Sequence, residues 1–112
     1  MLRRVGITVQ IIDVSGTGRV GATTVLEGIP SEITLRDLIR TRVREEVARS
    51  NAAPEQRRVD WEPQADRAIE AFECNGFFVL VDDRQVTELD EELALTANSD
   101  IRFVRLVQLA GG

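Results

Sequence analysis

Residues 34–51 read TLRDLIRTRVREEVARSN and carry the clearest helical pattern of the chain. The apolar residues that recur at helical spacing on one side are Leu35, Leu38, Ile39, Val43 and Val47. Thr34 precedes this run, and Asp37 lies three positions after Thr34, which resembles a capping box with Asp in place of Glu. We therefore predict an amphipathic helix that ends near Ser50-Asn51 and packs its single apolar stripe on a sheet.

Strand patterns lie on both sides of this helix. Alternating apolar and polar residues predict a strand over Val5–Val14, and a stretch rich in threonine and valine predicts a second strand over Val20–Glu27. A glycine-containing turn would join the two strands as an antiparallel hairpin. After the helix, five apolar residues predict a covered strand at Phe77–Val81, and two aspartates then turn the chain into a short return strand, Arg84–Val86. Ile101–Leu106 is predicted to be the last strand.

The remaining segments are less regular. Residues 51–63 are polar and hold two of the three prolines, which predicts a loop. A second, shorter helix is predicted after residue 63, with Asn75-Gly76 as its stop and Ala65, Ala68, Ile69 and Phe72 on one face. Residues 89–95 are acidic and contain leucines, and we predict a loop with a helical turn there.

This order of elements predicts the fold class α+β. The first and last strands are both apolar enough to lie in the centre of a sheet, and side by side they would run parallel with the main helix in the crossover. This is the β-grasp arrangement: a mixed sheet packed on one main helix, here with a short second helix. We expect one domain over residues 1–108 and a tail over residues 109–112.

Composition excludes several classes of function. The chain has 112 residues, and 19 acidic against 14 basic residues give a net charge of −5, which argues against nucleic-acid binding. All of the basic residues are arginine, and histidine, lysine and tyrosine are absent. The single cysteine, Cys74, excludes an internal disulfide and a cysteine metal cluster. We therefore expect no enzymatic activity and no bound cofactor or metal.

The apolar runs are short and interrupted by aspartate, and the first residues lack a signal-peptide cleavage site. The sequence therefore predicts a protein without a membrane association, and we expect it in the cytoplasm.

The end of the chain resembles a known superfamily. Residues 100–106, DIRFVRL, lead through Val107 to Gly111-Gly112, and this segment resembles the last strand and tail of ubiquitin. It also resembles the small sulfur carriers of thiamine and molybdopterin synthesis, whose chains end at Gly-Gly. Two features depart from these families: an insertion at about residues 51–75, and Val107-Gln108 where sulfur carriers often have prolines.

The resemblance implies that the terminal carboxylate is the reactive group. An adenylating enzyme of the ubiquitin-activating type would use ATP to activate Gly112, and Gly111 would give clearance in a narrow channel. The partner enzyme would grip the preceding residues Ala110, Leu109 and Gln108. The implied partners are this activating enzyme, a conjugating enzyme, a deconjugating protease and the target proteins, with the chain itself a monomer.

Three functions remain open at this stage. We favour a ubiquitin-like modifier that is transferred to amines of target proteins. The alternatives are a sulfur carrier that forms a C-terminal thiocarboxylate, and a non-covalent β-grasp interaction module with an inert tail. The absence of lysine fits a modifier that avoids modifying itself, but a codon preference for arginine explains it equally well.

Three further residues are candidates for partner contacts. Leu80 and Val104 fall near the positions of the apolar partner-binding patch in ubiquitin, and we expect core packing for Leu80 and surface exposure for Val104. Trp61 lies in the polar insertion, either as an anchor that holds the insertion on the domain or as a binding anchor for a partner.

Overall fold

The computed structural model describes residues 6–53 and 58–106, which form seven strands and two helices. In chain order these elements are β1 (Ile7–Ser15), β2 (Val20–Ile29), β3 (Glu32–Thr34), α1 (Leu35–Asn51), α2 (Trp61–Glu73), β4 (Phe77–Val81), β5 (Arg84–Val86), β6 (Glu92–Ala94) and β7 (Ile101–Arg105). Val5, where we predicted the first strand to begin, lies outside the described residues.

Five strands form the main sheet in the order β2-β1-β7-β4-β5. Strand β1 runs antiparallel to β2 and parallel to β7, and β7 runs antiparallel to β4. A parallel pair requires a crossover from one end of the sheet to the other, and α1 and α2 lie in that connection. The prediction of an α+β fold with a mixed sheet and parallel first and last strands is therefore confirmed.

Helix α1 begins and ends where its sequence pattern predicts. The Thr34 side chain accepts a hydrogen bond from the backbone N–H of Asp37 at 3.1 Å, so the predicted cap is present. The residues of α1 that are buried against the sheet are Leu35, Leu38 and Ile39. Val43 and Val47 remain half-buried, so the second half of the apolar stripe is covered less completely than the first.

Helix α2 begins at Trp61, whereas the loop was predicted to continue to residue 63. The predicted loop is therefore wrong for residues 61–63. Pro63 lies in the first turn of the helix, where its missing N–H removes no helical hydrogen bond. The predicted stop is confirmed: Asn75 has a φ of 63°, and Gly76 donates its N–H to the Ala71 carbonyl at 2.7 Å.

A small second sheet replaces the loop predicted for residues 89–95. Strands β3 and β6 pair antiparallel, with Ile33 opposite Leu93. The backbone N–H of Leu95 donates to the Ser31 carbonyl at 2.7 Å and extends this contact. Because each strand has only three residues, alternation was too short to indicate them.

The core lies between one face of the main sheet and the two helices. Its fully buried side chains include Ile11, Leu38, Val79 and Ile101. At one edge of the core, the ring of Phe77 stacks on Phe103 with centroids 5.5 Å apart. Strands β1 and β7 therefore present one face to the core, and the alternation of side chains leaves their other face to solvent.

In the two described ranges, neither helix combines the length and the apolar composition that are needed to cross a bilayer.

Candidate functional site

The residues predicted to form the reactive tail, Gln108, Leu109, Ala110, Gly111 and Gly112, lie outside the described residues.

The chain leaves the main sheet at Arg105, the last residue of its central strand. Leu106 follows with 44% of its surface exposed, and its backbone N–H donates to the Gly76 carbonyl at 3.2 Å. Leu106, the last described residue, is therefore attached to the residue that precedes β4.

The face of the main sheet that points away from the helices carries both apolar and polar side chains. We call its apolar residues the outer face: Ile12, Val14, Val25, Phe78, Leu80 and Val104. None of them belongs to the hydrophobic core cluster, and five are half-buried rather than buried. The register places Val104 between Val14 and Phe78 on neighbouring strands. The outer face therefore contains an apolar row that crosses β1, β7 and β4.

A polar pair lies within this apolar surface. Arg102 is paired in register with Ile12 on one side and Leu80 on the other. Its guanidinium donates to both carboxylate oxygens of Asp100, at 2.9 and 3.3 Å. This hydrogen bond and the charge of Asp100 raise the pKa of Arg102 above its ordinary value. The outer face therefore holds one ion pair among its apolar side chains.

The structure corrects the expected exposures of two candidate contact residues. Val104 was expected to be exposed, but only 9% of its surface is accessible, because strands β1 and β4 flank it on both sides. Leu80 was expected in the core, but it is half-buried on the outer face, because its neighbours Val79 and Val81 occupy the inward positions. Both residues nevertheless lie on the outer face, where Leu80 is half-buried and Val104 is buried.

Trp61 is brought to the surface of α1 rather than to the outer face. Its ring lies under two guanidinium groups of that helix, with Arg40 5.0 Å and Arg44 5.4 Å from the ring centroid. Arg40 also lies 3.9 Å from the Asp66 carboxylate of α2. These contacts attach the start of α2 to α1, which favours the interpretation of Trp61 as an anchor of the insertion.

A charged cluster lies on the other side of the sheet, beside the core. The Arg42 guanidinium forms a bidentate pair with the Asp13 carboxylate, with both N–O distances at 2.6 Å, and also contacts Glu46 at 3.0 Å. It lies 4.9 Å from the centroid of the Phe103 ring. Burial acts to lower the pKa of Arg42, but the hydrogen bond to Asp13 and the charge of Glu46 outweigh burial and raise it. Arg42 therefore keeps its charge although most of its side chain is shielded from solvent.

Cys74 is exposed at the C-cap of α2. Its exposure shows that it does not contribute to the core.

Sequence reasoning singled out Leu80 and Val104 but missed the other residues of the outer face. Successive side chains of a strand point to opposite faces of the sheet, so Phe78 and Leu80 share one face and Val104 lies on a fixed face of β7. Only the register, which pairs Phe78 with Val104, shows that these faces are the same.

A comparison of the chain with known protein families, with curated proteins and with solved structures finds no match.

Proposed function

We propose that the chain is a ubiquitin-like β-grasp protein whose Gly112 carboxylate is activated by a separate adenylating enzyme. In this reaction the carboxylate attacks the α-phosphate of ATP and releases pyrophosphate. A cysteine of the activating or conjugating enzyme then displaces AMP, and an amine of a target protein finally displaces the thiol to form an amide. The chain supplies only its carboxylate and the surfaces that the enzymes bind.

The observation that carries this proposal is the position of β7. This strand lies at the centre of the main sheet, parallel to β1, and it is followed in the sequence by Leu106 and the segment VQLAGG. An enzyme that binds the sheet therefore also holds Leu106, the residue from which the tail continues in the sequence. Glycines at its end leave room around the reacting carbon.

The outer face supports the binding step of the same proposal. An activating enzyme must hold the domain while the tail reacts, and an apolar surface with fixed polar groups is suited to that contact. The outer face includes Val104 on β7 itself, so a protein bound there lies close to the start of the tail.

The test is an intact-mass measurement of the full chain after incubation with ATP, the cognate adenylating enzyme and candidate target proteins. Adducts formed with loss of one water and mapped to amines of the targets would support a modifier. A mass gain equal to the exchange of one oxygen for sulfur would instead identify a sulfur carrier.

Two variants serve as controls. Deletion of Gly112 changes the reacting residue, and Gly111→Val keeps a terminal glycine but adds a β-branched side chain beside it. We expect Gly111→Val to slow activation by about a hundredfold, because a small misplacement of the reacting atoms has a large effect on rate. An unmodified native chain under conditions where the enzyme activates its established substrate would contradict the proposal.

The outer face also favours a second function, a non-covalent interaction module. In that case a partner would bind the outer face, and deletion of Gly111-Gly112 would leave its affinity unchanged. Retained binding together with the absence of any covalent product would identify this function.

A further inference from the structure

A cleft with a volume of about 430 Å³ opens between the main sheet and α1, and Val14, a residue of the outer face, also lines it. The cleft lies at the ends of four strands, where β1 and β7 end and β2 and β4 begin. Its volume is within the range of about 300–1,000 Å³ that is typical of small-molecule sites.

Much of the cleft wall is apolar. This part is formed by Ile39 and Val43 of α1, Ala68 of α2, and the stacked rings of Phe77 and Phe103. The rest of the wall includes the ion-paired side chains of Asp13, Arg42 and Glu46. Val43, Ala68 and Phe77 are only half-buried, so they keep apolar surface that a ligand can cover.

The rim of the cleft is positive. Arg19 and Arg105 both line it, and both are exposed. Arg105 is paired in register with Phe77 on one side and Ser15 on the other, and Ser15 donates its backbone N–H to the Arg19 carbonyl at 2.9 Å. The backbones of Phe77, Arg105, Ser15 and Arg19 therefore lie side by side at this end of the sheet.

These two guanidinium groups differ from Arg42, which also lines the cleft. Arg42 is held by Asp13 and Glu46, whereas within residues 6–53 and 58–106 neither Arg19 nor Arg105 forms an ion pair. The chain has a net charge of −5, whereas the charged residues that line the cleft are three arginines against the two carboxylates Asp13 and Glu46, so the cleft is a local exception to the overall charge. Arginine binds carboxylates through paired, charge-assisted hydrogen bonds.

We propose that this cleft binds a small organic acid with an apolar body. Its carboxylate would contact Arg19 and Arg105, and its hydrocarbon part would cover Val43, Phe77 and Ala68. The site goes beyond the proposed modifier function, since it requires neither the tail nor an activating enzyme.

The test is a titration of the full-length, isotope-labelled chain with octanoate, followed by NMR of the backbone amides. We expect saturable shifts at Ser15, Arg19, Phe77 and Arg105. The double variant Arg19→Gln, Arg105→Gln should weaken octanoate binding by about tenfold or more, since hydrogen bonds to charged groups contribute that much to affinity. Both positions are exposed, so the double variant should fold normally.

Two comparisons make the test specific. 1-Octanol has the same chain without the charge and should bind at least about tenfold more weakly than octanoate. The matched control Arg36→Gln removes an arginine that pairs with Asp90 outside the cleft, and it should leave octanoate binding unchanged.

A second variant tests the apolar wall. Val43→Phe places a larger side chain into the cleft and should abolish octanoate binding while the amide spectrum remains that of a folded protein. The proposal would be overturned by equal affinities for octanoate and octanol, by shifts confined to the outer face, or by unchanged binding in the double arginine variant. Tighter binding of an acetylated tripeptide ending in leucine than of octanoate would also overturn it, by assigning the cleft to peptide ends.

Discussion

At the scale of single residues, Arg42 makes the densest set of polar contacts near the core. Only 11% of its side-chain surface is exposed, and its two ion-pair partners, Asp13 and Glu46, come from different elements. Arg42 therefore connects α1 to the central strand β1 at a point where the apolar packing of α1 becomes incomplete.

We expect Arg42→Met to lower the free energy of unfolding by about 1–3 kcal/mol, between the values for exposed and for fully buried ion pairs. The loss leaves the Asp13 carboxylate partly buried without its partner. Urea unfolding of the native chain and the variant measures the difference.

The matched control is Arg49→Met, which removes an exposed pair with Glu45 at 3.5 Å and should cost no more than about 0.5 kcal/mol. A double variant, Arg42→Met with Asp13→Leu, should recover part of the lost stability, since it removes the unpaired carboxylate. Equal effects of Arg42→Met and Arg49→Met would show that burial does not strengthen the Arg42 pair.

Local residue chemistry was predictable from the sequence, but long-range pairs were not. Thr34 at the start of α1 and Asn75-Gly76 at the end of α2 were predicted, because a cap depends on residues within one turn. The pair of Arg42 with Asp13 spans 29 positions and depends on how α1 lies on the sheet, which periodicity does not determine.

At the scale of elements, the turn between β4 and β5 is specified by its two aspartates. Asp82 and Asp83 have φ values of 51° and 70°, and Val81 pairs with Arg84 around them. Positive φ at both central residues is the type I′ geometry, for which Asp-Gly is a preferred sequence. The Asp82 side chain also accepts a hydrogen bond from the Asp100 backbone N–H at 2.9 Å.

We expect Asp83→Gly to raise the free energy of unfolding by about 0.5 kcal/mol, because glycine adopts the left-handed region without strain. Asp82→Gly relieves the same strain but loses the hydrogen bond to Asp100, so it should not stabilise the protein. Thermal unfolding of both variants measures the contrast. A greater gain from Asp82→Gly than from Asp83→Gly would contradict the role assigned to the Asp82 side chain.

The attachment of α2 depends on Trp61. If this residue anchors the helix through Arg40 and Arg44, Trp61→Ala should lower the free energy of unfolding by about 1–2 kcal/mol. Trp61→Phe keeps an aromatic face and should lose less. Chemical unfolding of the two variants tests this order, and an unchanged stability of Trp61→Ala would instead favour Trp61 as a contact for a partner.

The long elements were predictable from the sequence and the shortest ones were not. Helix α1 and strand β1 follow periodic patterns, and β2, β4 and β7 are rich in β-branched or apolar residues over five or more positions. Strands β3 and β6 have three residues each, and their pairing depends on where the chain returns after β5. The start of α2 was missed because Pro63 indicated a loop, although proline is well tolerated in the first turn of a helix.

At the scale of the whole molecule, the two faces of the main sheet have different roles. One face packs on the helices and forms the core, and the other presents the outer face. The parallel pairing of β1 with β7 was predictable from the order of elements, whereas the outer face and the cleft require the register of every strand.

We expect Leu80→Ser to weaken binding of the activating enzyme by at least about tenfold, because Leu80 lies at the surface of the outer face beside Arg102. Val59→Ser, which changes an exposed apolar residue between α1 and α2 instead of one on the sheet, is the control and should leave binding unchanged. Calorimetric titration of the enzyme with each variant gives the comparison. If Leu80→Ser bound as tightly as the native chain, the outer face would not be the docking surface for this enzyme.

The central claim is that the Gly112 carboxylate is the group that reacts. The most direct measurement is tandem mass spectrometry of the full chain after incubation with ATP, the adenylating enzyme and hydroxylamine, which traps an acyl-adenylate as a hydroxamate. The proposal predicts a hydroxamate on Gly112 that requires ATP and is lost when ATP is replaced by a non-hydrolysable analogue that blocks release of pyrophosphate. A hydroxamate on an aspartate or glutamate side chain instead, or none under conditions where the enzyme activates its established substrate, would contradict it.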